Sequence, residues 1–251
     1  NKNFKQMINR LKDQQEKLII NERHEAWGSL ARKLAHEIKN PLTPIQLTID
    51  RLKNKYSNEL DEKNKKNFNE NLKIINNQIK QIEKLVNEFS DFARMPKPVF
   101  QKNDLIMLIK DNIKLLQELD QTIKIDFIHN NQQLFFDGDK EQLSRVFLNL
   151  IKNSIESIQQ KTEKVSDFDK NITIELNDFD SHISLVINDN GIGFKNLNNN
   201  IKEILNPYFT TKKNGTGLGL SIVNKIINDH NGNIDFISKA DGAIIKIIFS
   251  K

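Results

Sequence analysis

Apolar residues in the first part of the chain recur at spacings of three and four, and that rhythm stops at a pair of prolines. Trp27, Ala31, Leu34, Ile38, Leu42, Ile45, Ile49 and Leu52 keep this spacing, and Phe68, Leu72, Ile75, Ile79, Ile82, Val86 and Phe89 alternate four and three without a miss. The pattern is the heptad signature of helices packed in a bundle or coiled coil. The polar stretch 54–66 between the two runs holds both helix ends and a turn. Two helices alone cannot bury stripes this wide. The hairpin, residues 27–95, is therefore expected to pair with a second copy of itself into a four-helix bundle, making a homodimer. Pro41 and Pro44 interrupt the first helix, and each removes a backbone donor and is expected to bend it locally. Upstream, Phe4, Met7, Leu11 and Leu18 keep a looser heptad, so residues 1–26 read as a helical connector from a sensor part beyond Asn1.

Met95-Pro96-Lys97-Pro98 is a stiff linker signal, and residues 96–102 are expected to join the hairpin to a second domain, residues 103–251. Beyond it the pattern changes. Residues 104–119, 139–159 and 216–230 read as helices, and 122–128, 133–136, 171–177, 182–188, 233–238 and 243–249 as strands. Asp241-Gly242 suits a hairpin turn before the last strand. This mixture predicts an α/β sandwich, with helices on one face of a mixed sheet. Asn196–Asn200 is a low-complexity run.

Composition narrows the chemistry. The 251 residues contain no cysteine, which excludes a disulfide framework, a thiolate metal site and a cysteine nucleophile. No apolar run approaches the ~18 residues of a membrane span, so no membrane contact is expected within residues 1–251. Residues 1–98 carry 20 basic and 13 acidic side chains, a net +7, whereas residues 99–251 carry 18 and 20, a net −2. The excess is single lysines among Glu and Asn rather than arginine clusters with aromatics, which argues against nucleic acid. An acidic protein partner is the sharper reading of that charge.

His36 lies two residues from both Leu34 and Ile38, about 200° around a helix from each, so it points away from the apolar stripe. Glu37 adjoins it, and Asn40 follows one turn later on the same face. A carboxylate on one ring nitrogen fixes the tautomer and leaves the other free as a nucleophile, while Asn40 could orient a water or a phosphoryl oxygen. Further on, Asn149 and Asn153 sit one turn apart on a helix, where an amide oxygen can act as a hard ligand for Mg²⁺. Asp189-Asn190-Gly191-Ile192-Gly193 follows an apolar strand. There a carboxylate can accept from the exocyclic amine of adenine, and glycines let the backbone approach a base. Gly215-Thr216-Gly217-Leu218-Gly219 enters a helix whose N–H groups and dipole suit phosphate. Each box has an ordinary alternative, namely solvated asparagines or plain turns. Their order, with a polar lid between the last two, is what makes the case. His230 reads as a helix C-cap position favourable for a cation, Asp137 and Asp139 as caps, and His24, His129 and His182 have no ligand-like spacing.

The segment HEIKNPLTPIQL resembles the phosphoacceptor box of sensor histidine kinases and is similar to their NtrY-like nitrogen-regulation branch. By that resemblance His36 is the phosphorylated residue, Glu37 its acid/base, and Asn40 the residue that helps hydrolyse the phosphorylated partner. Residues 143–158 look like the N box of these kinases, which implies Asn153 as the Mg²⁺ ligand with Asn149 and Lys152 as polar support. Ser154 and Ser157 stand where the family more often has alanine. Pro207-Tyr208-Phe209-Thr210-Thr211-Lys212 looks like the F box, adding Phe209 and Lys212 to the nucleotide-binding set. The four boxes resemble the ATP-binding fold shared by histidine kinases, Hsp90-type chaperones, gyrase and MutL. That resemblance implies Mg·ATP as the phosphoryl source and the receiver domain of a response regulator as partner. It places the chain in the cytoplasmic portion of a bacterial inner-membrane sensor. A conformational ATPase and a nucleotide-binding scaffold are the rival readings.

Overall fold

A computed structural model describes residues 33–56, 60–93, 95–118, 120–165, 168–194, 201–212, 215–239 and 241–251. They divide into two compact units between Pro96 and Lys97. The expected connector 1–26, Trp27, Ala31 and the run 196–200 lie outside the described residues.

The first unit is a helical hairpin of α1, helical over residues 33–56, and α2, Glu62–Ala93. The apolar stripe resolves into two rows. Residues seven apart face inward, with Ala35, Leu42 and Ile49 on α1 and Leu72, Ile79 and Val86 on α2 all buried. Leu42, Ile49, Leu72 and Ile79 form one cluster, with Phe68 packed against it. The alternate row, Ile38, Ile45 and Leu52 on α1 with Ile75 and Ile82 on α2, remains exposed. Pro41 and Pro44 do not end α1, contrary to a simple interruption. Leu42 and Ile49, packed against α2, hold the helix across them, and Thr48 Oγ1 donates to Pro44 O at 2.8 Å. Because neither proline has an N–H, the carbonyls of Glu37 and Asn40 lose their helical donors.

The second unit carries β1 (Gln101–Asp104), α3 (Leu105–Gln117), β2 (Lys124–His129), β3 (Phe135–Gly138), α4 (Lys140–Thr162), β4 (Asn171–Asp178) and β5 (His182–Asp189). A short 3₁₀ turn at Ile201–Leu205, α5 (Gly219–Asp229), β6 (Gly232–Ser238) and β7 (Ala243–Ser250) complete it. Five strands form a sheet in the order β2-β4-β5-β7-β6. β2 and β4 are parallel and the other neighbours antiparallel. A parallel pair needs a long crossover, and α4 lies within it. Strand β1 is an addition to the expected elements: it pairs antiparallel with β3 in a separate two-stranded sheet. Its sequence Gln-Lys-Asn-Asp carries no apolar alternation to announce a strand.

Alternate strand residues such as Ile172, Ile174 and Leu176 of β4, and Ile245, Ile247 and Phe249 of β7, are buried under the helices. They meet Leu143, Phe147, Leu150 and Ile158 of α4 and Val223, Ile226 and Ile227 of α5 in a closed core. Each such fully buried side chain contributes about 1.5–3 kcal/mol relative to an exposed one. The helices begin differently. Asp104 caps α3 by accepting from Ile106 N at 3.0 Å. Asp139 caps α4 by accepting from Glu141 N and Gln142 N, each at 3.0 Å. No side chain caps α5, whose N-cap position is Leu218.

Candidate functional site

In the hairpin, His36, Glu37 and Asn40 are all exposed, on the side of α1 turned away from buried Ala35 and Leu42. Among the described residues none hydrogen-bonds to the His36 ring, Glu37 included. The imidazole thus stands in solvent with a carboxylate beside it and the donor-free carbonyls of Glu37 and Asn40 in the same turn.

In the second unit, α4 is the spine on which the other boxes converge. Asn149 donates Nδ2 to Arg145 O at 2.8 Å, which turns its Oδ1 toward the start of α5. A Cβ at Gly219 would lie 3.1 Å from that oxygen. One turn on, Asn153 Oδ1 accepts from Lys212 Nζ at 2.8 Å, and the same ammonium is ion-paired with Glu156. Lys152, exposed, lies 4.0 Å from Glu156 at the edge of the group. Further along, Ser154 and Ser157 meet the Asp189 loop, and Lys161 donates to Asn190 O at 2.8 Å while pairing with Asp241. From Asn149 to Ser157 is roughly 12 Å of helix.

Asp189 ends β5 and is buried. Burial pushes its carboxyl above the ordinary carboxylate range, and hydrogen bonds from Gly191 N–H and the Ser154 hydroxyl pull in the other direction. The glycines of this loop answer to protein neighbours. A Cβ at Gly191 would lie 2.6 Å from the Ser157 carbonyl carbon, and one at Gly193, with φ +64°, would lie 2.3 Å from Gly242 O. The close approach seen at both is therefore to the backbone of α4 and of the β6–β7 turn.

The loop before α5 is tied to the F box. Tyr208 N donates to Gly217 O at 3.1 Å, and a Cβ at Gly217, with φ +70°, would lie 2.7 Å from Phe209 N. Gly215 N donates to Lys212 O at 3.1 Å, closing the turn that carries Lys212. Thr216 Oγ1 accepts from Leu218 N at 3.4 Å. The Leu218 side chain is buried in the core, so what it offers a ligand is main chain. Behind it, α5 presents first-turn N–H groups with no side-chain cap, an arrangement suited to an anion.

Along α4 the structure brings Asn149 to Gly219, Asn153 to Lys212, and Ser154 and Ser157 to Asp189 and Gly191, while Gly193 packs on Gly242, Phe209 on Gly217, and Gly215, Thr216 and Leu218 follow in the loop that Lys212 closes. It adds Glu156, Ser154 and Lys161, which sequence reading had not assigned to the site. Their signal was helical spacing alone, since Glu156 lies three residues past Asn153, and Lys212 is 56 residues away from it in sequence. His230 is the C-cap of α5, as expected. Its Nδ1 bonds Ile226 O at 2.8 Å and its Nε2 pairs with Asp139 N at 2.9 Å. Both ring nitrogens are thus spent on main chain, and His230 joins the end of α5 to the start of α4. Among the described residues no cluster of three or more acidic or histidine side chains could hold a metal ion.

Two family models match the chain: His Kinase A (phospho-acceptor) domain over residues 26–98, and histidine kinase-, DNA gyrase B-, and HSP90-like ATPase over residues 138–250. An NtrY-like sensor histidine kinase of Rickettsia prowazekii is 40% identical over 98% of this chain and 40% of its own length. The nitrogen regulation protein NtrY of Azorhizobium caulinodans is 35% identical over 90% of this chain and 28% of its own length. The chain thus spans well under half of these relatives. Among solved structures, histidine kinase ThkA in complex with response regulator protein TrrA is 27% identical, covering 96% of this chain and 67% of that one, with a TM-score of 0.63. With a His Kinase A (phospho-acceptor) domain followed by an ATPase domain of the histidine kinase type, the chain belongs to the sensor histidine kinases and is similar to NtrY-like members.

Proposed function

We propose that this chain is the catalytic core of a two-component system, phosphorylating His36 from ATP and passing the phosphoryl group to an aspartate of a response regulator. The observation that carries the reading is the pairing of two sites on one chain. One is an exposed imidazole beside a carboxylate; the other is a helix spine that joins a buried aspartate to an uncapped helix N-terminus. In the first step a ring nitrogen of neutral His36 attacks the γ-phosphorus, an N–P bond forms, the β–γ P–O bond breaks and ADP leaves. Glu37 takes up the ring proton. Asp189 accepts from the adenine amine, and the α5 N-terminus with Thr216 and Gly215–Gly219 holds phosphate oxygens. Asn40 orients the water that later hydrolyses the phosphorylated regulator.

The oxygen atoms of α4 fit Mg²⁺ in kind. Asn153 Oδ1 and the Glu156 carboxylate already hold a cation, the Lys212 ammonium, and Asn149 Oδ1 lies one turn away. Mg²⁺ usually takes only one or two protein oxygens and shares the rest with phosphates and water. Asn153, with Asn149 beside it, would hold the ion, which supplies charge neutralisation to the phosphates when bound. Lys212 would then be released toward the nucleotide.

The exposed row Ile38, Ile45, Leu52, Ile75 and Ile82 supports a homodimer, since a second hairpin covers it as a four-helix bundle. The basic hairpin supports docking of an acidic receiver domain. No helix among the described residues is long and apolar enough to cross a membrane. We place the chain on the cytoplasmic side of a bacterial inner-membrane sensor, where ATP is available. Incubation with γ-labelled ATP and magnesium tests the reading. Acid-labile, alkali-stable label is expected on the wild type and none on His36→Ala. Label that survives in the variant, or phosphate release without labelling, overturns it.

A further inference from the structure

The loop after β5 is held against α4 by the hydroxyls of Ser154 and Ser157. Ser154 is 1% exposed and Asp189 5%, so the two meet out of water. The Ser154 hydroxyl donates to Asp189 Oδ2 at 3.2 Å, and Gly191 N donates to Oδ1 at 3.0 Å. Ser154 and Gly191 thus place one donor on each carboxylate oxygen, and the Ala243 N–H and the Ser157 hydroxyl add to the set that orients it. A serine in mid-helix ordinarily bonds back to the carbonyl four residues earlier or faces solvent. Here the hydroxyl is spent on a residue 35 positions away.

Ser157 also holds the rest of the loop, beyond its weaker contribution to the carboxylate. Ile192 N donates to both the Ser157 hydroxyl at 3.1 Å and the Ser157 carbonyl at 3.3 Å. The charged residues around the loop are engaged away from the carboxylate. Lys161 of α4 is paired with Asp241 of the β6–β7 turn, Lys239 donates to Asn188 Oδ1 at 2.9 Å, and Asp169 engages Asn190 through its carbonyl. With no cation on the carboxylate among these described contacts, neutral donors are what oppose its burial.

We propose that Ser154 is a positioning residue for adenine recognition, its hydroxyl fixing the orientation of the Asp189 carboxylate and keeping it a pure acceptor. The inference rests on the assignment of Asp189 as the group that accepts from the adenine amine. An ionised carboxylate only accepts, which matches an amine donor; a protonated one would turn a donor toward it. Burial raises the Asp189 carboxyl and the Ser154 hydroxyl lowers it, so removing the hydroxyl moves the loss of acceptor character to higher pH.

The test compares binding of ADP with that of inosine diphosphate, which lacks the exocyclic amine, by titration calorimetry on the full 251-residue chain between pH 5 and 8. Ser154→Ala is expected to weaken ADP by about tenfold at neutral pH, the scale of a lost hydrogen bond to a charged group, and to leave inosine diphosphate unchanged. Its ADP affinity should also begin to fall at a higher pH than that of the wild type. Ser154→Thr, which keeps the hydroxyl, should retain the wild-type preference and profile. Equal losses for both nucleotides, a pH profile that superimposes on wild type, or a threonine variant as impaired as the alanine one overturns the inference. Asp189→Asn separates the two layers. If it keeps the preference for ADP, the adenine assignment falls and this inference with it. If it loses the preference while Ser154→Ala keeps it, the Ser154 inference alone falls.

Discussion

The two units treat their polar residues in opposite ways. In the hairpin, His36, Glu37 and Asn40 stand in solvent, and so do apolar residues elsewhere on it: Ile45 is 46% exposed and Ile75 45%. In the second unit the core is closed, and Asp189, Asn149, Asn153 and Lys212 are each held by a named partner. The difference follows from what each must meet. On the proposed function the phosphoacceptor has to be reached by large partners, and an apolar face left open on a hairpin needs another surface to cover it. A nucleotide site instead gains from donors and acceptors whose positions are set before the ligand arrives.

The largest effect tests the open side of that contrast. Ile45 and Ile75 lie beside a groove of about 400 Å³ that Pro44, Thr48 and Ile49 also line. Replacing both by aspartate puts two charges where a second hairpin is expected to pack. At several kcal/mol for an unpaired buried charge, self-association should weaken by more than about a hundredfold. Sedimentation equilibrium reads this directly, and ADP affinity of the second unit should be unchanged. An unaltered dimerisation constant would mean that the exposed row serves something else, and the contrast would lose its simplest explanation.

The closed side is broken at a glycine. Gly242 has φ +98°, and a Cβ there would sit 1.9 Å from Asp189 O, against backbone that cannot rotate away. Gly242→Ala should therefore destabilise the second unit by about 3 kcal/mol or more, combining strain at a disfavoured φ with overpacking. Gly219 differs, because its Cβ would meet only the Asn149 amide oxygen at 3.1 Å. Gly219→Ala should cost under about 1 kcal/mol in thermal or urea unfolding. If the two substitutions were equally tolerated, the loop behind Asp189 would not be the rigid support described above.

Much of this was legible in the sequence, and the gaps have physical causes. The three-and-four spacing gives a helix its apolar stripe but cannot say which half a hairpin keeps, because Leu42 and Ile45 look alike until α2 is in place. The sandwich strands carried their Ile and Val signatures and fell within two residues of their expected limits. Strand β1 did not, since its pairing with β3 depends on backbone that composition does not report. The glycine boxes were readable as a set, yet Gly191 and Gly193 turn out to be demanded by protein contacts. Local sequence cannot see a helix that arrives from elsewhere. Glu156 and Ser154 were missed for the same reason: each acts through a partner 35 or more residues away.

A further modest effect sharpens the contrast through pH. Asp139 caps α4 and also accepts from Val99 N at 2.8 Å, so it fastens the first residues of the second unit to the start of α4. Burial alone would raise its carboxyl, but the N–H donors of Gln142, Val99 and Glu141 outweigh it and hold it below the ordinary value of 3.8. A depressed carboxylate contributes stability that is full above the unfolded value and is lost as pH falls through the folded one. Asp189 has the opposite sign. Its raised carboxyl penalises the ionised fold, so that penalty disappears as pH falls through its folded value toward 3.8. Asp139→Ala should therefore lower the urea stability of the second unit by about 1 kcal/mol at neutral pH, and by close to nothing once both proteins are below the Asp139 folded value. A deficit that persisted undiminished into acid would show that Asp139 acts through packing rather than through its charge. The closed unit would then owe less to fixed donors than its geometry indicates.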